Sequence, residues 1–141
     1  MAVKPSIVIV PGSFAPPSIY TFLNQKLTSY GYETITISLP SVGTKDEASG
    51  VTLNDDALRI QETTERLADE GKDILLMMHS YGGVPGSESA KNLSKIEREN
   101  EGKNGGIVKL LYMASIIAPE GKTVADIDLG GPKETLSGVE V

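Results

Sequence analysis

The chain contains no cysteine and only one histidine, His79, in 141 residues. Without cysteine there is no disulfide and no thiolate to hold a metal, and one imidazole is too few for a histidine-rich zinc or iron centre. Carboxylates alone are left for magnesium or calcium, but no loop has the spacing of a calcium-binding hand. No metal site and no cofactor are therefore expected. Basic residues are also few: 13 lysines and arginines against 19 acidic residues give a net charge of −6. They are scattered along the chain, whereas binding phosphates draws on clustered positive charge, so a nucleic-acid partner is not expected. Long apolar runs are missing too. Only four strongly apolar residues, Ile7 to Val10, follow the polar start before Pro11-Gly12 breaks the run. That is too short for a signal-peptide core or a membrane span, so the expected setting is the cytoplasm with no membrane contact. The lack of cysteine permits that compartment without requiring it.

What is present suits one soluble globular domain with one core, with 39% apolar and 23% charged residues. Ile7–Val10, Thr34–Ser38, Ile74–Met78 and Ile107–Met113 are short apolar or β-branched runs, most of them without strict alternation, as in strands buried on both faces. Leu53, Ala57, Ile60, Thr64, Leu67 and Ala68 recur with helical period, while Asp55, Glu62, Glu65 and Asp69 fall mostly opposite. Thr52 with Asp55 predicts a cap, Asp55 and Asp56 suit the positive end of the helix dipole, and Gly71 suits its stop. Ser18 to Tyr30, ended by Gly31, predicts another helix with Tyr20, Leu23 and Leu27 on one stripe. A third starts near Gly82, with Pro85 in its first turn, and Ser94 with Glu97 suits the cap of a short extra turn. Residues 101–106 predict an exposed loop. Alternating strands and helices imply an α/β fold, with about four mainly parallel strands and helices on both faces in three αβα layers. Beyond Pro119 the pattern weakens into loop or tail.

Met77-Met78-His79-Ser80-Tyr81-Gly82-Gly83 sits between an apolar strand and a helix of small residues. A serine at such a turn has its hydroxyl pushed clear of the backbone and helix amides aimed at whatever it attacks, which is the layout of a nucleophile. A helix-capping serine is the competing reading. Two other patterns fail. Gly121-Lys122-Thr123 has Ile116 where a phosphate-binding loop needs its first glycine, and Gly82-Gly83 with Gly86 lacks the full dinucleotide-binding glycine pattern.

The order strand Ile7–Val10, loop Pro11-Gly12-Ser13-Phe14, helix, strand ending Leu39-Pro40, amphipathic helix, strand, then His79-Ser80-Tyr81-Gly82-Gly83 resembles the first half of an α/β-hydrolase-fold enzyme. The resemblance runs through Ala118 and is nearest to small serine esterases and their hydroxynitrile-lyase-like relatives. It implies residues 1–118 as the amino-terminal half of a hydrolase domain, with 119–141 leading towards a lid and a carboxy-terminal half. It further implies Ser80 as nucleophile and the backbone amides of Ser13 and Tyr81 as oxyanion hole, with Gly12, Gly82, Gly83 and His79 supporting loop and elbow. Strand order in the family reverses between the strands matching Ile7–Val10 and Ile74–Met78, so ligands would bind in the crevice at their carboxyl ends.

Two departures stand out. Met78 occupies a position that is usually glycine, where bulk crowds the turn. The family's acid and histidine come later in the chain, and Val141 falls before either is expected. His79, next to the serine, is expected to pack beside the strand rather than serve as base. Asp126, Asp128, Glu134 and Glu140 are the remaining acids, and nothing distinguishes them from solvated charges. Phe14 and Tyr20 fit a pocket mouth, and fit core packing or a surface aromatic at least as well.

The leading expectation is a serine hydrolase of a small ester, lactone or related acyl substrate, represented by a fragment nearly inactive alone. A second is a non-catalytic interaction module, self-associating or docking a partner chain through strand 107–113, which would otherwise be an exposed apolar edge. A third is lyase or cyclase chemistry on the same fold.

Overall fold

A computed structural model describes residues 2–122 and 124–127. Four strands, β1 (Ser6–Val10), β2 (Thr34–Thr36), β3 (Asp73–His79) and β4 (Gly106–Met113), form one parallel sheet in the order β2-β1-β3-β4. The four principal helices are α1 (Thr21–Ser29), α2 (Leu53–Asp69), α3 (Gly83–Ser89) and α4 (Lys95–Asn100), and a 3-10 turn over Pro17–Tyr20 leads into α1. The chain runs from β1 outwards to β2, then returns to place β3 on the other side of β1. The carboxyl ends of β1 and β3 therefore flank the point where strand order reverses, as expected.

The sheet separates two apolar layers. Val8 and Val10 of β1 with Ile74, Leu76 and Met78 of β3 pack with Ile60, Leu67 and Ala68 of α2. The alternate residues Ile7, Ile9 and Met77 pack with Tyr20, Leu23 and Leu27 on the other face. This is the period-two division of a strand buried on both sides, and all five residues of β1 are buried. The stripe read on α2 is buried from Ala57 to Ala68, whereas on the other face Tyr20 is buried and Leu23 and Leu27 are half-buried. α2 carries the capping box anticipated at Thr52, whose N–H donates to Asp55 Oδ2 at 2.7 Å. Gly71, at φ 81, reverses the chain after it. Ser94 Oγ accepts the Glu97 N–H at 3.2 Å and starts α4.

Three expectations are corrected. Strand 107–113 is the exposed apolar edge that the interaction reading expects and is not buried on both faces: only Gly106 and Ile107 of β4 are buried, and Val108, Leu110, Leu111 and Met113 are exposed. The cause is position, since β4 is the sheet edge and only Ile107, which donates its N–H to Leu93 O at 2.8 Å, is met on its outer side among the described residues. Residues 101–106 are not uniformly exposed either, because Gly105 and Gly106 are buried. The fully buried side of α2 also includes Asp56, a residue assigned to the helix dipole alone. Of the expected tail, Val124–Asp126 forms a 3-10 turn. Asp128, Glu134 and Glu140 lie outside the described residues. No described helix is long and apolar enough to cross a membrane.

Candidate active site

Ser80 follows the last residue of β3 directly and has φ 52. That is left-handed backbone, which costs a residue with a side chain roughly 1–2 kcal/mol. Surrounding contacts hold it there. The Ser80 carbonyl accepts the Ile116 N–H and the Ser115 hydroxyl, both at 3.0 Å, so the loop leaving β4 braces the turn from one side. On the other side the loop leaving β1 closes in: a Cβ on Gly82 would stand 2.5 Å from the Pro11 carbonyl oxygen and 2.7 Å from that of Val10. A Cβ on Gly83 would overlap the Ile116 carbonyl and the Ser115 hydroxyl. Only glycine fits at either place, which explains the pair after Ser80-Tyr81.

The loop carrying Ser13 lies against the same turn. A Cβ on Gly12 would be 3.1 Å from Ser80 Cβ. Gly12 is buried, whereas Ser13 and Phe14 are exposed. Phe14 adopts φ 58 and is 86% exposed, so it is a surface aromatic at the rim. Tyr20, by contrast, is buried beneath the loop. Its hydroxyl accepts the Gly12 N–H at 3.0 Å and lies 2.7 Å from His79 Nδ1. The two rings meet edge to face, with centroids 5.8 Å apart and planes at 76°. His79 is half-buried beside the strand, and no hydrogen bond links its ring to the Ser80 hydroxyl.

Tyr81 is anchored from below. Its hydroxyl donates to Asp56 Oδ2 at 2.9 Å, and Asp56 also accepts the Ser41 N–H at 2.9 Å and the Ser41 hydroxyl at 2.6 Å. Burial, and then the neighbouring Asp56 carboxylate, push the Tyr81 pKa well up, so the phenol stays a donor throughout the ordinary pH range. A strained serine at a strand-to-helix turn, with a glycine-lined loop across the crevice, is thus in place at the sheet's switch point.

A model of the alpha/beta hydrolase family matches residues 7–137. The chain belongs to the alpha/beta hydrolase family. It is 31% identical over 121 residues to alpha/beta hydrolase nvfD of Aspergillus novofumigatus, covering 86% of this chain and 47% of that protein. It is 30% identical over 134 residues to a protein named as a hydrolase from Phoma sp., covering 95% of this chain and 51% of that one. The chain thus spans about half the length of the curated relatives it matches. Among solved structures, an extracellular alpha/beta-hydrolase from a Paenibacillus species superposes with a TM-score of 0.71 at 19% identity, over 94% of this chain and 48% of that one. A thioesterase of prodiginine biosynthesis from Streptomyces coelicolor superposes with a TM-score of 0.53 at 17% identity, over 79% of this chain and 42% of that one. At these identities the likeness shows the shared fold.

In this alpha/beta hydrolase Met78 does not crowd the turn. Its side chain is fully buried in the layer under α3, and the room comes from Gly86, where a Cβ would stand 2.7 Å from both Met78 Cγ and Sδ. A large residue before the elbow is matched by a missing side chain eight positions later. Sequence reasoning anticipated Ser80, Gly12, Gly82 and Gly83 as one cluster. It missed Asp56, Ser41, Ser115 and Ile116, which come from three other segments. Asp56 alone gave a signal: it follows Asp55 yet falls next to Ala57 on the apolar stripe of α2. Among the described residues no group of three or more histidine, aspartate or glutamate side chains is placed to hold a metal ion.

Proposed function

We propose that the chain forms the amino-terminal half of a serine hydrolase acting on a small ester, lactone or related acyl substrate, with Ser80 as its nucleophile. The observation that carries this reading is the left-handed backbone of Ser80 at the end of β3, held by hydrogen bonds from the β4 loop. Strain at a residue whose neighbours over-determine it is characteristic of functional positions. The hydrolase names of the curated relatives support the same class.

In this reading Ser80 Oγ attacks the substrate carbonyl carbon, and its proton passes to a base. The carbonyl oxygen takes up the negative charge and is stabilised by the backbone N–H groups of Ser13 and Tyr81; losing one such donor typically costs about 10²- to 10³-fold in rate. Collapse of the tetrahedral intermediate expels the alcohol, and water then releases the acid. His79 is the sole imidazole of the 141 residues, and its Nδ1 is taken up by Tyr20. The base and its orienting acid are therefore assigned to residues beyond those described, and the chain alone is assigned little turnover.

A fluorophosphonate probe and p-nitrophenyl acetate test the reading. In the full-length hydrolase, which supplies the base, labelling should map to Ser80 and vanish in Ser80→Ala, while ester turnover by the present chain alone should stay at or near the uncatalysed rate. Labelling elsewhere would overturn Ser80 as nucleophile, and rapid turnover lost in Ser80→Ala would overturn the assignment of the base.

A second reading rests on β4. Its exposed Val108, Leu110, Leu111 and Met113 form an open apolar edge of the kind that takes up another strand, from a second copy or from another polypeptide. Light scattering on the chromatographed chain tests this. A monomer with cooperative unfolding would count against it.

A further inference from the structure

The hydroxyl of Tyr20 touches both sides of the crevice at once. It accepts the N–H of Gly12, the residue before Ser13, at 3.0 Å, and lies 2.7 Å from Nδ1 of His79, the residue before Ser80. Tyr20 is 5% exposed, so water is not at hand to complete its hydrogen bonding. A phenol has one proton, and here one lone pair is already occupied by the Gly12 N–H. Among the described residues the hydroxyl has no partner other than Gly12 and His79. If His79 Nδ1 carried a proton, both neighbours would donate to the phenol and the phenol's own proton would be buried without an acceptor. The donor count is satisfied when Nδ1 is the acceptor, which leaves the ring proton on Nε2.

We propose that Tyr20 is a positioning residue that clamps the Gly12-Ser13 loop onto the Ser80 turn, through a relay from Gly12 N–H to Tyr20 Oη–H to His79 Nδ1 that fixes the histidine tautomer. The role of the clamp in the reaction rests on the proposed function of Ser80 and Ser13; the clamp itself does not. The geometry explains why one phenol suffices. Tyr20 ends the 3-10 turn that follows the loop and belongs to the apolar layer with Ile7, Ile9 and Met77, so its ring is fixed by packing before its hydroxyl makes any bond. The loop and the turn are already close, with a Gly12 Cβ only 3.1 Å from Ser80 Cβ, so a small drift of the loop would move the Ser13 amide relative to Ser80. His79 thereby acquires a task that its place beside the nucleophile does not suggest: it is the acceptor that lets Tyr20 hold the loop.

The single histidine makes the test direct. Long-range ¹H–¹⁵N correlation spectra of the uniformly labelled chain contain one imidazole, and the expected pattern is a protonated Nε2 with an accepting Nδ1. In Tyr20→Phe both tautomers should appear, and exchange of the Gly12 amide should accelerate at least about tenfold while the amides of Val8 and Val10 keep their protection. An Nδ1–H tautomer in the unaltered chain, or unchanged Gly12 exchange in Tyr20→Phe, would overturn the clamp. Fluorophosphonate labelling of Ser80 in the full-length hydrolase, which supplies the base, then reads its effect on the site. Tyr20→Phe should slow labelling roughly three- to tenfold, the range set by one hydrogen bond. His79→Leu should slow it equally. His79→Asn, whose amide oxygen can replace Nδ1 as acceptor, should restore it, which a mere packing role would not. Equal rates in all four proteins would overturn the positioning role. Absence of Ser80 labelling in the unaltered full-length hydrolase would instead count against Ser80 as nucleophile, with the two spectroscopic results still deciding the clamp.

Discussion

Gly86 in α3 and Met78 in β3 offer a sharp test of how this chain accommodates a bulky residue beside its strained turn. A Cβ on Gly86 would meet Met78 Cγ and Sδ at 2.7 Å, about 1 Å inside the ordinary separation of apolar atoms. Its next neighbour, Val10 Cγ2, is at a comfortable 3.7 Å. Met78 is fully buried and Cγ lies near its backbone, so the clash cannot be relieved by swinging out a flexible end. Overpacking of this kind costs roughly 1–3 kcal/mol, while alanine in place of an interior helical glycine gains roughly 1 kcal/mol of propensity. Gly86→Ala should therefore destabilise by up to about 2 kcal/mol, lowering the urea midpoint by up to roughly 1 M. Met78→Ala alone should cost about 2–5 kcal/mol through the cavity it leaves. With Met78 truncated, however, the Cβ at position 86 meets only Val10, so Gly86→Ala should become stabilising by about 0.5–1 kcal/mol. The difference between the two backgrounds is the overpacking cost itself, a coupling of about 1–3 kcal/mol, measurable from four urea curves with a shared slope. If Gly86→Ala has the same effect in both backgrounds, within about 0.5 kcal/mol, the two residues do not compete for one space and the account of Met78 fails.

Other expectations follow from the same contacts. Asp56→Ala should destabilise by at least about 2 kcal/mol by leaving Ser41 and Tyr81 donors buried without their acceptor, whereas Tyr81→Phe, which leaves the carboxylate both bonds from Ser41, should cost about 1 kcal/mol; equal losses in urea unfolding would refute this. Ser80→Gly should raise stability by about 1 kcal/mol by removing left-handed strain while abolishing probe labelling, and a destabilised variant would show that the serine side chain holds the turn. The Ser6 hydroxyl, at 2.5 Å, and then Lys72 lower the Glu33 pKa below the usual glutamate range. Because the folded value lies below the unfolded one, this contribution is full above the unfolded pKa and is lost as pH falls through the folded pKa. Ser6→Ala should accordingly weaken the fold at neutral pH and differ less from the unaltered chain near pH 3, and a constant difference in unfolding midpoint would contradict the linkage.

Much of the scaffold can be read directly from residue order. The stripe from Ala57 to Ala68 and the runs at Ile7 and Ile74 follow helix and strand periods, and those periods decide which faces become buried. Strand 107–113 reads both as a doubly buried run and, as the last strand before the fold's missing half, as an exposed edge, because an apolar run by itself carries no mark of whether a neighbour lies beyond it. The site divides in a similar way. Gly12, Gly82 and Gly83 signal themselves, since close backbone approach leaves no alternative to glycine. Tyr20 does not, because an aromatic on a helix stripe has an ordinary local explanation, and the place of Asp56 beside Ala57 on the apolar stripe is a signal that an acid in a first turn easily masks.

By itself, then, the sequence determined the periods, the caps, the serine turn and the absence of a second imidazole, all of which depend on residue type at short spacing. Tertiary structure decided the rest: that Tyr20 lies 2.7 Å from His79 across 59 residues, that Asp56 anchors Tyr81 across 25, and that Gly86 makes room for Met78. Hydrogen-bond partners and packing space are set by where the sheet brings distant segments together, and short-range pattern carries no record of that distance.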